Sequence, residues 1–542
     1  MTTGAMRALQ AAIRAGVSAG AARLGEPALA LLFSGLLTGL AFGAHLRPGG
    51  FYNDDWAFLV TAHFSGGFLE GVDAFGYLSF RPLMTLYWPA VFGVLGAEPT
   101  WHAAWTLSVS ALMGALVFLL LRRLGVEALH AGLIAALVLL FPAADSTRFW
   151  PAMSANVLAV ALYLAGVIAS LAAFRATGRR ALLLHAGGVA LLLCSVLLYE
   201  IASTLILVTG SLYVVLWGRR GLWRWAIDVA AIAAVLLLVT SGTFYEPLPL
   251  GEMPDHALEV ADQAGWVLAD SLWAPASPSH RVAVAVWVGM AAVLAAAAWR
   301  LRRGAPDAPG APELRRWLQL AVGALVATAA AYAAAVPSPH LSPLGPGQQN
   351  RANVLGGIGL VVLLYAVLML AALVACSRSR APARAAGALV VLAALVIGAG
   401  DLRQVRADQR GWERSAVLQE YIVDQVEMAV GELPRGGTVY TFGAPAEAAP
   451  GVPVFAAVWD LAGALALRYN DPSLEGYPVL SGSRVDCGRD EVVLHNANDS
   501  FESQAASYGP VYFVDVIGAQ ATRVADRRAC RKAAPALLAA SS

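Results

Sequence analysis

The chain has 542 residues, of which 58% are hydrophobic and only 13% are charged, and its mean hydropathy is +0.63. Soluble domains carry about 25% charged residues, so this composition excludes an ordinary soluble protein and is typical of a polytopic membrane protein. The formal net charge of +1 is uninformative as a total, and no feature of the chain indicates a nucleic acid partner.

Eleven apolar runs are long enough to cross a bilayer as helices of about 20 residues. They lie near 29–46, 103–121, 127–142, 152–173, 181–199, 201–218, 226–243, 282–299, 317–336, 353–375 and 385–400. Arginines cluster in alternate connecting segments, at 122–123, 175–180, 219–224, 300–316 and 378–384. Because cytoplasmic segments carry the excess of basic residues, this pattern places those segments and the N-terminus in the cytoplasm. An odd number of spans then places the end of the chain outside it.

These spans divide the chain into a membrane domain, 1–400, and an extracytoplasmic C-terminal domain, 401–542. The first external loop, 47–102, contains two stretches, 55–65 and 82–96, that mix aromatic residues with few charges. They are predicted to be helices that lie in the membrane interface. An amphipathic helix is predicted at 255–273.

The C-terminal domain has a different pattern. Three short runs, Thr438 to Phe442, Val492 to Leu494 and Val511 to Val516, are typical of buried strands, and Trp459 to Arg468 is typical of a helix. A small α/β domain is therefore predicted. Cys487 and Cys530 both lie in it, and outside the cytoplasm we expect them to form a disulfide.

Two adjacent carboxylates, Asp54 and Asp55, lie just beyond the first span, at the predicted lipid–water boundary. Carboxylates in such a place cost free energy to desolvate, which indicates a functional role. The alternative is structural, since an aspartate before Trp-Ala-Phe-Leu is a good start for a helix. We favour catalysis on a lipid-linked substrate, and the residues alone do not choose between the two aspartates.

Other polar residues are predicted on the same outer face. Sugar transfer from a lipid phosphate needs a carboxylate to take the proton of the acceptor hydroxyl and fixed cations to bind the leaving phosphate. Either aspartate is a candidate base, and Arg351 with Arg81 or Arg148 is a candidate phosphate clamp. Candidate substrate-binding residues are His102, Glu200, Gln348, Gln349 and Asn350.

The first loop also carries a family resemblance. Asp54-Asp55, Phe80-Arg81-Pro82-Leu83, Pro99-Thr100-Trp101-His102 and Phe141-Pro142 resemble the membrane-embedded GT-C glycosyltransferases, particularly the protein O-mannosyltransferase-like branch. The resemblance covers about 51–200. It implies a polyprenyl-phosphate sugar donor used outside the cytoplasm, inversion at the anomeric carbon, and a first-loop acidic residue as catalytic base.

The sequence therefore predicts a GT-C-like glycosyltransferase of the bacterial inner membrane. Its partners would be the lipid-linked sugar and a glycan, glycolipid or protein acceptor. Two adjacent aspartates supply too few ligands for a divalent cation such as Mg²⁺ or Mn²⁺, so Glu200 or water would have to complete a metal site if one exists. The rival functions are a transporter or flippase for a lipid-linked glycan and a non-catalytic envelope assembly protein. Against transport, the charged residues cluster at one membrane face rather than at the midplane.

Overall fold

The fold is a bundle of apolar helices followed by a small α/β domain. It is given by a computed structural model that describes residues 25–239, 248–272, 280–303, 310–337, 347–378, 381–496 and 503–541. The helices are α1 (Gly25–Leu46), α2 (Asp54–Phe64), α3 (Phe68–Ala74), α4 (Pro82–Leu95), α5 (Pro99–Arg123), α6 (Ala128–Leu140), α7 (Ser146–Phe149), α8 (Ser154–Ala173), α9 (Gly178–Leu198), α10 (Ser203–Trp217), α11 (Arg219–Val239), α12 (Met253–Leu272), α13 (His280–Arg303), α14 (Ala311–Ala333), α15 (Asn353–Ala375), α16 (Pro382–Val430), α17 (Val458–Tyr469) and α18 (Arg527–Ser541).

Eight helical segments in the described part of the chain are long and apolar enough to cross a membrane. They contain α1, α5, α8, α9, α10, α13, α15 and α16. The three other predicted spans, near 127–142, 226–243 and 317–336, correspond to α6, which has only 13 residues, and to α11 and α14, which carry charged residues in their first turns. Residues 240–243 of the second of these spans lie outside the described residues. The prediction of a multi-pass helical membrane protein is confirmed. The side of the membrane on which each end lies stays a prediction.

The segment after α1, predicted to be the first external loop, folds into helices where the sequence predicts them. The stretch 55–65 corresponds to α2, 82–96 to α4, and the amphipathic segment 255–273 to α12. The first loop packs through a cluster of aromatic side chains that includes Phe51, Tyr52, Trp88, Trp150 and Trp412. Because Trp412 belongs to α16, this cluster ties the first loop to the long helix that leaves the bundle.

Helix α16 connects the two parts of the molecule. It has 49 residues and is therefore about 73 Å long, more than twice the hydrocarbon thickness of a bilayer. The predicted boundary at residue 400 lies inside this helix. The C-terminal domain is thus joined to the bundle by a continuous helix rather than by a flexible linker.

The described residues of the C-terminal domain, 401–496 and 503–541, contain nine strands. They are β1 (Thr438–Phe442), β2 (Glu447–Ala449), β3 (Val452–Pro453), β4 (Glu475–Pro478), β5 (Arg484–Cys487), β6 (Glu491–His495), β7 (Gln504–Ser507), β8 (Val511–Asp515) and β9 (Gln520–Arg523). The main sheet has the order β4-β1-β8-β9, with β1 parallel to both β4 and β8. The prediction of a small α/β domain is confirmed, and its three predicted strands correspond to β1, β6 and β8.

The other parts of this domain are a crossover helix and a second sheet. Helix α17 connects the parallel strands β1 and β4, so its first turn lies at the edge of the sheet where those strands end. Strands β5, β6 and β7 form a separate antiparallel sheet, to which α18 is joined by a disulfide between Cys487 and Cys530, with Cα atoms 5.8 Å apart.

Candidate functional site

The acidic pair begins α2, directly after a residue with an unusual backbone conformation. Asn53 has φ +44°, a backbone conformation that is sterically disfavoured for every residue except glycine. Its side chain does not cap α2 but accepts a hydrogen bond from the indole N–H of Trp459, 3.0 Å away. Strained residues of this kind persist only where their surroundings hold them, often at functional sites.

Asp55 faces the protein interior. Its side chain is 2% exposed, and Oδ2 accepts a hydrogen bond from the backbone N–H of Tyr52 at 2.9 Å. The backbone of Ala152 donates a second hydrogen bond to this carboxylate. Burial raises its pKa well above the usual range, and the neighbouring Asp54 raises it further. Asp55 therefore closes the first turn of α2 and holds it against Ala152.

Asp54 is half-buried and lies among cations. Burial raises the pKa of this carboxyl, while Arg351, a hydrogen bond from the Trp459 indole, and Arg81 lower it. The two adjacent aspartates thus have different surroundings. The positive charges of both arginines act on Asp54, and we call these three side chains the Asp54 site.

Arg351 lies in a 3₁₀ turn, Gly347–Ala352, just before α15. Its Nη1 donates to the backbone oxygen of Gln348 at 2.8 Å, and its guanidinium carbon lies 5.6 Å from the ring centroid of Trp150. It makes no ion pair of 4 Å or less with any carboxylate among the described residues. A guanidinium held in this way keeps donors for an anionic ligand.

Arg81 pairs with another predicted site residue. Its Nε donates to Glu200 Oε2 at 2.7 Å and its Nη2 to Oε1 at 2.5 Å, so the pair is bidentate. The guanidinium carbon also lies 3.9 Å from the ring centroid of Tyr199. The first loop and the turn between α9 and α10 therefore meet here, and Glu200 offsets much of the positive charge of Arg81.

Three other predicted contacts lie inside the protein. Arg148 is 2% exposed and donates to the backbone oxygens of Ala144 and Val138, and burial lowers its pKa to about 10. His102 is also buried and lies 2.8 Å from the Gly96 oxygen. Both side chains therefore bond to protein groups in this structure, and their predicted phosphate and substrate contacts stay predictions.

Asn350 is the third predicted site residue that lies inside the protein. Its Nδ2 donates to Asp145 Oδ1 at 2.8 Å and its Oδ1 accepts from the backbone N–H of Ser146 at 3.1 Å. It therefore joins the Arg351 turn to α7 rather than opening toward a substrate. Gln348 is half-buried and Gln349 is exposed, and their predicted contact with a substrate stays a prediction.

Two contributors to this site, Trp459 and Trp150, are not predicted as site residues from the sequence. Trp459 is 406 positions from its partner Asn53, and the indole of Trp150 donates to the Tyr52 oxygen at 3.0 Å across 98 positions. Trp150 also lies beneath Arg351. A local pattern indicates only that each tryptophan is near an element end, and the fold alone brings them to the acidic pair.

The possible metal ligands do not come together as a cation site. Asp55 accepts backbone hydrogen bonds and Glu200 pairs with Arg81. In the part of the chain that the structure describes, no group of three or more His, Cys, Asp or Glu side chains is arranged to hold a metal ion. The three carboxylates suggested by the sequence are therefore not grouped together, and dependence on a divalent cation stays a prediction.

Comparisons with known proteins give one finding of note. No family model matches the chain, and no curated protein matches it. Among solved structures, the chain is similar to the crystal structure of ArnT from Cupriavidus metallidurans bound to undecaprenyl phosphate. The similarity covers 81% of this chain and 84% of that chain, at 14% sequence identity and a TM-score of 0.37. A TM-score of this size does not establish a shared fold.

Proposed function

We propose that this protein is a glycosyltransferase that moves a sugar from a polyprenyl-phosphate donor to an acceptor hydroxyl outside the cytoplasm. The observation that carries the proposal is the Asp54 site itself. A half-buried carboxylate begins α2, and an arginine without an ion pair of its own among the described residues lies near it. This combination supplies both a proton acceptor and an anion-binding group at one place.

In the proposed reaction, Asp54 takes the proton of the acceptor hydroxyl while that oxygen bonds to the anomeric carbon. The bond from the anomeric carbon to the phosphate oxygen breaks, and its electron pair leaves with the polyprenyl phosphate. Arg351 binds that phosphate, whose negative charge grows in the transition state. A single displacement of this kind inverts the anomeric configuration, and the phosphate leaves as a stable anion without a second acid.

The surroundings of the site suit an amphiphilic donor. A cavity of about 630 Å³ lies between α2, α3 and α4, within the range of ligand pockets, and its lining is mainly apolar. It includes Leu59, Phe68, Pro89, Phe92 and Val94. Since α2 carries Asp54 at its first turn and borders this cavity at its last turns, one helix would contact both ends of a lipid-linked sugar.

The test is transfer of radiolabelled sugar by the purified protein, from a panel of polyprenyl-phosphate sugars to a membrane-extracted acceptor. Asp54→Asn removes the proton acceptor with little change in shape, so transfer is expected to fall by about 10³-fold. Asp73→Asn is the matched control, because Asp73 is an exposed carboxylate of the same loop, in α3. It should transfer at the wild-type rate.

Asp55→Asn separates the two aspartates. Because Asp55 accepts two backbone hydrogen bonds, its loss should reduce the yield of folded protein rather than the rate per folded molecule. Transfer is expected to persist in EDTA, since the proposed reaction uses no metal ion. No transfer by the wild type from any donor, with Asp54→Asn cells retaining normal envelope glycans, would instead favour a transporter or an assembly protein.

A further inference from the structure

The C-terminal domain contacts the Asp54 site at two separate points. The first is α17, which packs across α2. The indole N–H of Trp459, in the first turn of α17, donates to Asn53 Oδ1 at 3.0 Å, and the same side chain hydrogen bonds Asp54. A residue of the C-terminal domain therefore directly contacts the proposed base and the strained residue before it.

The packing of α17 on α2 leaves little room. A Cβ atom placed on Gly463 would lie 3.0 Å from the backbone of Trp56, so the two helices meet backbone to backbone at this glycine. The Trp56 indole donates to Gln419 Oε1 on α16 at 3.2 Å, and Gln419 Nε2 donates to the oxygen of Val454 at 2.6 Å. Contacts this close hold Trp459 at a fixed distance from Asp54.

The second point is the turn between β2 and β3. The backbone oxygen of Gly451 accepts a hydrogen bond from the backbone N–H of Gln348 at 2.7 Å. Gly347 has φ +60°, and a Cβ atom there would overlap the Gly451 oxygen. Because the Gln348 oxygen in turn accepts the hydrogen bond from Arg351, this strand turn supports the arginine of the site.

We propose that the C-terminal domain is part of the catalytic machinery, with Trp459 as a positioning residue for Asp54 and the Gly451 turn as the support that positions Arg351. The proposal rests on the proposed glycosyltransferase function. It assigns the domain a defined task, which is to fix the spacing between the base and the phosphate-binding arginine.

The chemistry explains why such spacing matters. The acceptor oxygen and the leaving phosphate lie on opposite sides of the anomeric carbon in a single displacement, so the groups that serve them must be held apart at a set distance. A misplacement of about 1 Å can cost 10²-fold in rate. Asp54 and Arg351 lie on segments nearly 300 positions apart in the sequence. A domain that contacts both segments supplies that precision.

The first test removes the indole N–H alone. Trp459→Phe keeps an aromatic ring, and we expect kcat to fall by about tenfold or more with an unchanged KM for the donor. The hydrogen bond from Trp459 lowers the pKa of Asp54, so its loss should move the acid limb of the kcat profile to higher pH. Trp459→His, which keeps a ring N–H, should recover part of both effects.

The control for this variant is Trp225→Phe. The Trp225 indole donates to the Leu207 oxygen at 2.7 Å within the bundle, so the same substitution removes a comparable hydrogen bond away from the site. Its kcat and pH profile should match those of the wild type. All rates are taken per folded molecule, from the monodisperse fraction in detergent.

The second test disturbs the contact between the Gly451 turn and the Arg351 segment. Gly347→Ala should displace the Gly451 turn from the Arg351 segment and raise the donor KM by about tenfold or more. Gly436→Ala is the matched control, because Gly436 has φ +68°, a similar backbone strain, and open space around its Cβ position. It should leave the donor KM unchanged.

The outcomes separate the two proposals. Wild-type transfer together with an unchanged kcat and pH profile in Trp459→Phe, or an unchanged donor KM in Gly347→Ala, would overturn the positioning role while leaving the enzyme in place. Absence of transfer by the wild type would overturn the proposed function, and this inference with it.

Discussion

The two ends of the helix bundle each contain a cluster of polar side chains around an arginine, and the two clusters are built differently. At one end, the Asp54 site joins segments from the first loop, the turn before α15 and the C-terminal domain. At the other end, Arg224 and Asp228 of α11 are 4% and 3% exposed and form an ion pair. Ser170, which also bonds Arg224, lies in the last turn of α8, whereas Ala152, which bonds Asp55, lies just before the first turn of that helix.

The difference lies in how the charges are satisfied. Arg224 donates to Asp228, to Ser170 Oγ at 2.8 Å and to His185 Nδ1 at 3.2 Å, so three protein groups use its donors. Arg351 donates to one backbone oxygen and, among the residues described, pairs with no carboxylate within 4 Å. A cluster that neutralises itself stabilises the fold, whereas a cation without such a partner has donors for a ligand.

The largest expected effect is on stability at the Arg224 end. Arg224→Ala leaves Asp228 buried without its partner, which should reduce the free energy of unfolding by about 3–5 kcal/mol. The rate of transfer per folded molecule should stay at the wild-type value. Thermal unfolding in detergent and the specific activity of the folded fraction measure the two quantities.

Arg220→Ala serves as the control for that variant, since Arg220 is exposed on the same helix. Replacing both partners, as Arg224→Met with Asp228→Leu, should restore most of the lost stability because no unpaired charge remains. If Arg224→Ala lowered the specific activity at an unchanged unfolding temperature, the Arg224 cluster would have a role in function and the contrast between the ends would fail.

At the Asp54 end we expect a loss of activity without a loss of stability. Arg351→Ala should lower kcat/KM for the donor by about 10²–10³-fold, as for the loss of one preorganised donor to a developing anion. The unfolding temperature should change little, because Arg351 has no ion pair among the described residues to lose. Arg47→Ala, an exposed arginine near the end of α1, is the control and should have wild-type kinetics.

The kcat/KM of Arg351→Lys for the donor should fall between that of Arg351→Ala and that of the wild type, since lysine keeps the charge and loses the fixed geometry. Wild-type kcat/KM in Arg351→Ala would show that the phosphate is bound elsewhere. Arg81 would then be the next cation to test, because it also lowers the pKa of Asp54.

Most of the secondary structure was predictable from sequence because it depends on local patterns. Long apolar runs and alternating buried residues gave the helices and the strands β1, β6 and β8 with boundaries near the observed ones. What the local pattern could not give is the continuity of α16. The apolar run ends near residue 400, but no glycine or proline follows it until Gly411, so a polar helix extends the span into the C-terminal domain.

The site was predictable only as a set of candidates. Arg148, His102, Asn350 and Arg351 are all polar residues next to helix ends, and the sequence offers no way to tell which of them the fold buries. Arg148 is buried and donates to the backbone oxygens of Ala144 and Val138, whereas Trp150 lies beneath Arg351 and leaves it half-exposed. Trp459 could not be predicted at all, because its role depends on a contact between two domains.

The pair of Arg81 and Glu200 is intermediate between the fully paired Arg224 and Arg351, which has no ion pair among the described residues. Its loss gives the smallest expected effect on activity. The Glu200 side chain is 47% exposed and that of Arg81 is 16% exposed, so solvent screens the pair and its coupling should be at most about 1 kcal/mol. Arg81→Gln is therefore expected to lower kcat/KM for the donor by less than about tenfold.

Glu200→Gln should change donor binding in the opposite direction. It releases the guanidinium of Arg81 toward the phosphate, so the donor KM should fall a few-fold. A double-mutant cycle in kcat/KM measures the coupling directly. A loss in Arg81→Gln as large as that in Arg351→Ala would mean that the arginine leaves Glu200 when the donor binds, and that the site holds the phosphate with two cations instead of one.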